Sequence, residues 1–319
     1  MKGATKAPII ADGLRLDADA AAGAIEEFVR REVTRRGRQG VVLGLSGGLD
    51  SSVCAYLCER ALGKERVLTY MLPERHSSVQ NMRDAELVAE TLGLEPTRID
   101  LTPILTQIGT YELTPEHPSP ARRVIRAARR RLRGAPAALP AYSDTMVELY
   151  GTQVEQQASP SNRQRWQAVC RNQAFMLDKL RLRMIMLYHH AALNNCLVAG
   201  TLDRSEWSIG FYDRYGDGAC DLALLVHLYK TQIRALARHL VLPSHIVSKP
   251  SSGDLFRATP NEKLIGMSYE QLDAVLWGLE HGLLEEEICM QVGVAVARVE
   301  EVRQAAQATR ARDDLPAHL

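Results

Sequence analysis

Several features that mark common classes of protein are absent from this sequence of 319 residues. No apolar run reaches the roughly 18 residues needed to cross a bilayer, and the start, Met1-Lys2-Gly3-Ala4, has no apolar core of the kind that signal peptides carry. Positive and negative side chains balance, with 39 Lys and Arg against 38 Asp and Glu, so there is no basic field to attract nucleic acid or an anionic membrane. We therefore expect a cytoplasmic protein whose partners include neither a membrane nor nucleic acid.

Closely spaced cysteine pairs are missing as well. The six cysteines are scattered along the chain, and none stands in a CxxC pair. We expect buried thiols, and neither a disulfide framework nor a zinc site. With 46% hydrophobic residues, the chain has the composition of an ordinary globular protein and enough length for a sizeable core.

Short apolar runs alternate with helical stretches over much of the chain. The run Val-Val-Leu-Gly-Leu at 41–45 is continuous and partly β-branched, which is typical of strands that helices cover on both faces. Further strands are predicted over 67–72, 95–101 and 196–200 and near Ile246. The helices between them give right-handed βαβ units. The pattern predicts an α/β fold with a doubly wound, five-stranded parallel sheet of order 3-2-1-4-5.

The alternation is interrupted by a segment rich in proline and arginine. Residues 102–165 contain seven prolines, too many for one regular element, and are interpreted as an insertion at the edge of the sheet. A capping box, Ser268-Tyr269-Glu270-Gln271, opens a C-terminal helical region. The predicted segments are an N-terminal extension (1–20), two halves of the α/β domain (21–101 and 166–267), the insertion (102–165) and the C-terminal helices (268–319).

A turn rich in glycine and serine, Ser46-Gly47-Gly48-Leu49-Asp50-Ser51-Ser52, joins the first strand to the following helix. Without Cβ atoms, Gly47 and Gly48 let backbone N–H groups approach an anion closely, and the serine hydroxyls add donors. The helix contributes the positive end of its dipole. These features favour a phosphate site, whereas the alternative is that any strand-to-helix turn prefers Ser, Gly and Asp. Because Asp50 would repel a phosphate, we expect it to hold a divalent cation.

The turn lacks the Lys-Ser or Lys-Thr ending of a Walker A loop. It resembles the pyrophosphate-binding loop of the ATP pyrophosphatases, and the motifs downstream come in the order and spacing of ammonia-dependent NAD synthetases. Those motifs are Arg181-Leu182-Arg183-Met184, Leu197-Val198-Ala199-Gly200-Thr201, Arg204-Ser205-Glu206, Tyr215-Gly216-Asp217, Leu228-Tyr229-Lys230-Thr231-Gln232 and Ser251-Ser252. The resemblance covers about residues 20–101 and 175–316 and identifies the chain as a divergent member of that family.

The resemblance implies a homodimer with the adenine-nucleotide alpha hydrolase-like fold, which is of the Rossmann type. It also implies a ligase that uses ATP as substrate and Mg²⁺ as cofactor, adenylates a carboxylate with release of pyrophosphate, and transfers ammonia to the acyl group. Asp50 and Glu206, each just beyond a predicted strand, would hold the metal. The residues implied in ATP binding are Ser46, Gly47, Gly48, Asp50, Ser51, Ser52, Met71, Arg181, Thr201, Lys230 and Ser252.

The site for the second substrate, the carboxylic acid that accepts ammonia, departs from the family's pattern. Leu177 stands where the family usually has Asn, Leu202 where it has Asp or Gly, and Asp213-Arg214 where it has Thr-Lys. Together with Asp217, these residues are the candidates for the acceptor site. Because hydrogen-bond partners are lost and Asp213 adds negative charge, one hypothesis is that the amidated acid is a small molecule other than deamido-NAD. Conversion of deamido-NAD to NAD stays open as an equal alternative.

The predicted insertion adds a further question, because seven arginines and no acid lie between Ala121 and Arg133. A helix over Arg122–Arg133 could bind RNA, close over an anionic substrate or simply face solvent. Two rival functions therefore remain, a tRNA-modifying adenylase and a nucleotide-binding protein without turnover. The synthetase region starts near residue 20, so we expect no fused glutaminase domain and ammonia that is free or delivered by a separate protein.

Overall fold

Parallel strands form the centre of the structure, a computed structural model that describes residues 10–113, 160–253, 260–310 and 317–318. The strands are β1 (Gly40–Gly44), β2 (Val67–Met71), β3 (Thr97–Arg98), β4 (Cys196–Asp203), β5 (Leu222–Leu225) and β6 (Ala317–His318). They lie in the order β3-β2-β1-β4-β5-β6, and each pairing is parallel. The α/β class and the predicted order of the first five strands are confirmed, and the two-residue β6 extends one edge.

The strand order reverses beside β1, which pairs with β2 on one side and with β4 on the other. Val41, Val42 and Leu43 are fully buried, because helices cover both faces of the sheet. In open α/β sheets, ligands bind beyond the carboxyl ends of the strands at such a point. The glycine- and serine-rich turn that follows β1 therefore lies where a ligand is expected.

The position predicted for the fifth strand is wrong. Ile246 lies in a short helix, Ser244–Ser248, and the fifth strand is Leu222–Leu225, which precedes the helix Lys230–His239. Both segments are short, and the pairing of Leu222–Leu225 with β4 and β6 distinguishes the strand. The third strand is also shorter than its predicted span of 95–101, since its ladder with β2 joins only Thr97 and Arg98.

Helices form one layer on each face of the sheet. The first layer contains α2 (Ala18–Arg35), α3 (Leu49–Leu62), α4 (Val79–Leu92), α8 (Lys230–His239) and α9 (Ser244–Ser248). The second contains α5 (Thr102–Gln107) and the long α6 (Pro160–Leu193). The short helices α1 (Ile10–Gly13) and α7 (Arg204–Ser208) lie outside these layers. Such cover on both faces is the doubly wound arrangement that the sequence predicted.

The C-terminal helices pack around a separate apolar cluster that includes Tyr269, Leu272 and Trp277. They are α10 (Asn261–Ile265), α11 (Tyr269–Glu280), α12 (Glu285–Val292) and α13 (Val296–Arg310). The predicted capping box is present, because the Ser268 hydroxyl accepts from the Gln271 N–H and the Gln271 side chain accepts from the Ser268 N–H. This cap fixes the start of α11 and so places Tyr269 beside the site described below.

Three sequence predictions concern composition and segment boundaries. All six cysteines are free thiols, four of them buried. Across the described ranges no helix combines the length and the apolar character needed to span a bilayer. The arginine-rich stretch Arg122–Arg133 lies outside the described residues, and the division of the chain into five segments stays a prediction.

Candidate nucleotide site

The turn between β1 and α3, which we call the phosphate loop (Ser46–Ser52), depends on the backbone of Gly47. Gly47 has a φ of +73°, a conformation that side chains with a Cβ rarely adopt. A Cβ at this position would overlap the Asn81 carbonyl oxygen and would lie 2.8 Å from the Ala85 nitrogen, so α4 packs directly against the loop. Gly48 is the N-cap of α3, and the positive end of that helix therefore faces the loop.

Serine hydroxyls brace the phosphate loop from within. The Oγ atoms of Ser46 and Ser51 lie 2.9 Å apart, and the Gly48 N–H donates to Ser46 Oγ at 3.2 Å. The Ser52 hydroxyl donates to the Gly48 carbonyl at 2.7 Å and is fully buried. In this structure Ser46 and Ser51 thus face the cavity described below, while Ser52 stabilises the first turn of α3.

A buried lysine lies between the two predicted metal ligands. The Lys230 ammonium, at the start of α8, lies 2.8 Å from Asp50 Oδ2 and 3.3 Å from Glu206 Oε1. A third carboxylate, Asp203 at the end of β4, lies 2.6 Å from it through Oδ2. Asp203 also caps α7, because its Oδ1 accepts from the Glu206 N–H at 2.7 Å. One cation therefore holds together three carboxylates that come from two different strand ends.

The N-terminus of α8 is held by contacts of its own. The Lys230 N–H donates to Ser205 Oγ at 2.9 Å, and the Thr231 N–H donates to Asp273 Oδ2 at 2.8 Å. The Ser205 hydroxyl in turn donates to Asp273 Oδ1 at 2.5 Å. Asp273 belongs to α11, so the C-terminal helices help to position Lys230.

Burial dominates the electrostatics of this cluster. Burial and the nearby Glu206 raise the pKa of the Asp203 carboxyl well above its ordinary value. Burial alone would lower the pKa of the Lys230 ammonium, but Asp203, Asp50 and Glu206 outweigh it and the pKa lies well above the ordinary value. Lys230 is therefore charged at neutral pH.

The donor set at this point fits a magnesium ion. Asp50 Oδ1 is buried and has no hydrogen-bond partner, which leaves a hard oxygen ligand available. Glu206 uses Oε1 to accept from Tyr269 at 2.7 Å and from Asn261 at 3.1 Å, which fixes the carboxylate in place. The described residues contain no cluster of three or more His, Cys, Asp or Glu side chains arranged to hold a metal ion. Mg²⁺ suits such a sparse site, because it commonly takes one or two carboxylates and completes its shell with phosphates and water.

A cavity of about 300 Å³ opens at the carboxyl ends of β1 and β4. Its wall brings together most of the predicted site residues from both halves of the chain. These are Ser46, Gly48, Asp50, Ser51, Thr201, Glu206 and Ser252 of the implied ATP site, with Leu177, Leu202, Asp213 and Asp217 of the acceptor candidates. The predicted residues outside the cavity wall are Gly47, Ser52, Met71, Arg181, Arg214 and Lys230.

Two of the residues outside the wall have clear structural partners. Met71 is buried in the core at the end of β2. The Arg181 guanidinium forms two bonds of 2.9 Å to the Asp213 carboxylate. The negative charge of Asp213 is therefore balanced by Arg181. Arg183, two residues further along α6, lies on the cavity wall.

The part of the cavity wall that the acceptor candidates form combines apolar side chains with one unusual carboxyl group. Leu177 and Leu202 are largely buried beside it. Burial, together with the nearby Glu206 and Asp213, raises the pKa of Asp217 to about 7. Its Oδ1 accepts from the Asp213 N–H at 2.8 Å, so this carboxyl group also fixes the loop after α7.

Sequence reasoning assigned no role to three residues that the structure places at the site. Asp203 contacts Lys230, Tyr269 contacts Glu206, and Lys249 lies on the cavity wall beside the phosphate loop. Of these three residues, Lys249 had the clearest sequence signal for a place at the site, because it stands just before Pro250-Ser251-Ser252. Its contacts, with Gly47 and Asp84, are far away in the chain and have no local pattern.

Comparison with known proteins identifies the family to which the chain belongs. The NAD synthase family model matches residues 21–146 and 174–316. The chain belongs to the NAD synthase family. An NH(3)-dependent NAD(+) synthetase from Hyperthermus butylicus is 34% identical over 305 residues, which cover 95% of this chain and 91% of the relative. Members act as ATP-dependent ligases with Mg²⁺ as cofactor, so the predicted enzyme class, an amide-forming ligase that uses ammonia, is confirmed.

Solved structures support the fold. An NH3-dependent NAD synthetase from Campylobacter jejuni, in complex with nitrate, has a TM-score of 0.61 and 25% identity, and the match covers 96% of this chain and 100% of that one. An NMN synthetase from Francisella tularensis has a TM-score of 0.64 at 22% identity, covers 96% and 98% of the two chains, and shows the shared fold alone. The predicted adenine-nucleotide alpha hydrolase-like fold is confirmed.

Proposed function

We propose that this enzyme converts deamido-NAD to NAD⁺ with ATP and ammonia. In the first step a carboxylate oxygen of the acceptor attacks the α-phosphorus of ATP, and pyrophosphate leaves with the electron pair of the bond that breaks. In the second step the nitrogen of ammonia attacks the acyl carbon, a proton is lost, and AMP leaves. Both steps join bound substrates directly, so no side chain has to act as a nucleophile.

The observation that carries this proposal is a single cavity lined by residues of both candidate sites. Ser46 and Asp50 of the phosphate loop line it together with Leu177, Leu202 and Asp217. The acceptor carboxylate and the α-phosphorus of ATP would therefore meet inside one chamber, and holding two reactants in contact is itself a large part of catalysis.

Each part of the phosphate site would contribute a different interaction. Ser46, Ser51 and the positive end of α3 would bind phosphate oxygens. Asp50 and Glu206 would hold Mg²⁺, which when bound offsets the charge that develops on the leaving pyrophosphate. In this proposal Lys230 positions those two carboxylates through its contacts of 2.8 and 3.3 Å.

A second candidate differs only in the acceptor. Leu177 and Leu202 offer no hydrogen bonds where the family usually has polar groups, so the acid could be another small carboxylic acid that prefers an apolar wall. The family match does not favour the tRNA-modifying adenylase or the protein without turnover.

Turnover with defined acceptors separates these candidates. With Mg²⁺, ATP and ammonium, deamido-NAD should yield NAD⁺ at about one per second or faster, with one pyrophosphate released for each NAD⁺. Glu206→Gln should lower this rate at least tenfold. Pyrophosphate release that depends on a different carboxylic acid would favour the second candidate. If neither deamido-NAD nor any other acid supports pyrophosphate release, both candidates are wrong.

Assembly and location complete the proposal. A homodimer, which the resemblance implies, predicts a mass in solution of twice the 35.4 kDa of the chain by light scattering. The six free thiols support a location in the reducing cytoplasm. Ammonia would be free or supplied by a separate protein.

A further inference from the structure

Lys249, the residue that follows α9, places a positive charge beside the phosphate loop. Its ammonium donates to the Gly47 carbonyl at 3.1 Å and forms an ion pair with Asp84 of α4. The side chain is 22% exposed and lines the cavity, so it is accessible to a ligand there. An ammonium has three N–H donors. Asp84 and Gly47 account for two, which leaves one donor for a ligand.

Asp84 is built to hold this lysine. Its carboxylate is 3% exposed and accepts from Gln80 Nε2 at 2.8 Å, and His245 Nε2 lies 3.2 Å from the same oxygen. The other oxygen faces Lys249. Burial would raise the pKa of Asp84, but Lys249 and Gln80 outweigh it and the pKa lies below the ordinary value, so the carboxylate is charged at neutral pH. Gln80 and His245 thus hold the Asp84 carboxylate, and that carboxylate holds the Lys249 ammonium at the loop.

Lys230, the lysine implied in ATP binding by the resemblance, has a different environment. It is fully buried, contacts three carboxylates and lies outside the cavity wall. Within the described part of the chain, the cationic side chains on that wall are Lys249 and Arg183. Since Asp50 and Glu206 lie on the same wall, a triphosphate entering the cavity would meet two negative charges. A compact ammonium at the loop is suited to offset this repulsion.

We propose that Lys249 binds the β- and γ-phosphates of ATP, and that Asp84 is the positioning residue that holds it there. The contact with Gly47 assigns the ammonium to the loop end of the nucleotide, and therefore to the pyrophosphate that leaves in the first step. This inference rests on the proposed function in that the ligand is ATP, but it is independent of the identity of the acceptor.

Binding of three ligands to the full chain tests the assignment. Isothermal titration calorimetry with Mg²⁺ would compare wild type, Lys249→Met and Lys64→Met, the last a matched control at an exposed lysine in the turn Lys64–Arg66. We expect Lys249→Met to raise the Kd of ATP and of inorganic pyrophosphate at least tenfold and to change the Kd of AMP less than twofold. Lys64→Met should change none of the three.

Other outcomes would overturn the proposal. The proposal is wrong if Lys249→Met keeps the wild-type Kd for pyrophosphate, or if it raises the Kd of AMP as much as the Kd of ATP. Lys249 would then serve only to join α4 and α9. If the wild-type chain binds neither ATP nor pyrophosphate, both this inference and the proposed function are wrong. If it binds them but makes no NAD⁺, only the proposed function fails.

Asp84→Asn provides a second, graded variant. It keeps a side-chain oxygen for Gln80 and removes the charge that faces Lys249. We expect the KM for ATP to rise by about threefold to tenfold while the KM for the acceptor is unchanged, and Lys249→Arg to retain part of the ATP affinity. A change in Tm without this selective change in KM would indicate a purely structural pair.

Discussion

Gly47 is the residue on which the phosphate loop depends most directly. Its positive φ and the overlap that a Cβ would make with the Asn81 carbonyl add two separate costs to any substitution. We expect Gly47→Ala to lower the free energy of unfolding by about 3 kcal/mol, because α4 or the loop must shift. Gly293→Ala is a matched control, since Gly293 has the same φ of +73° but open space around it. Chemical denaturation should show a loss of only about 1 kcal/mol there; equal losses would contradict the steric argument.

At the residue scale, the raised pKa of Asp217 should make the stability of the folded chain depend on pH. Burial, Glu206 and Asp213 raise its pKa to about 7 from an ordinary value of 3.8, so between these values the folded chain binds a proton that the unfolded chain releases. That contribution to stability is complete below the unfolded pKa and is lost as the pH rises toward 7. Asp217→Asn keeps an oxygen for the Asp213 N–H and cannot ionise. Its Tm relative to wild type should therefore rise between pH 5 and pH 8, and parallel Tm profiles would contradict this account.

Helix α11 links the C-terminal region to the site through Tyr269. The Tyr269 hydroxyl donates to Glu206 Oε1 at 2.7 Å, and the residue is fully buried. We expect Tyr269→Phe to lower the free energy of unfolding by about 2 kcal/mol, because a buried bond to a charged group is lost. It should also raise the Mg²⁺ concentration needed for ATP binding, since Glu206 loses one of the groups that fix it.

A second tyrosine separates these two effects. Tyr229 is buried and donates to Glu280 Oε2 at 2.5 Å, away from Glu206. Tyr229→Phe should destabilise the chain by a similar amount without changing the Mg²⁺ requirement in calorimetric titrations. If both variants shift that requirement equally, the effect comes from general loosening of the helices.

The elements of the fold differ in how far the sequence could predict them. The continuous run at β1 and the capping box of α11 are local signals, and both predictions are confirmed. The predicted position of the fifth strand is wrong, because a four-residue apolar segment is too short to show a periodic pattern. That β5 is a strand depends on its pairing with β4. The phosphate loop is likewise local, whereas the environment of Lys230 depends on Asp50, 180 residues away in the chain. Contacts of that range carry no local pattern.

At the scale of the whole molecule, the cavity lies between two halves of the chain that meet only through the fold. The phosphate loop comes from the first half, while Thr201, Glu206 and Ser252 come from the second. A ligand that contacts both halves binds the folded state and not the unfolded chain, so it must stabilise the fold by mass action. At a concentration of 100 times Kd, Mg²⁺ with ATP should add about 2.7 kcal/mol.

Because ligand binding raises Tm, thermal unfolding can separate the contribution of Mg²⁺ from that of ATP. For a chain of this length, about 2.7 kcal/mol corresponds to a rise in Tm of roughly 4 °C. We expect the full rise with ATP and Mg²⁺ and a smaller one when EDTA replaces Mg²⁺. Asp50→Asn should make the two conditions alike, because it removes the charge of the carboxylate whose Oδ1 has no partner in the folded protein. Since Asp203 and Glu206 still hold Lys230 in that variant, its Tm without ligand should stay close enough to wild type for the comparison. A Mg²⁺-dependent rise that survives in Asp50→Asn would place the metal elsewhere.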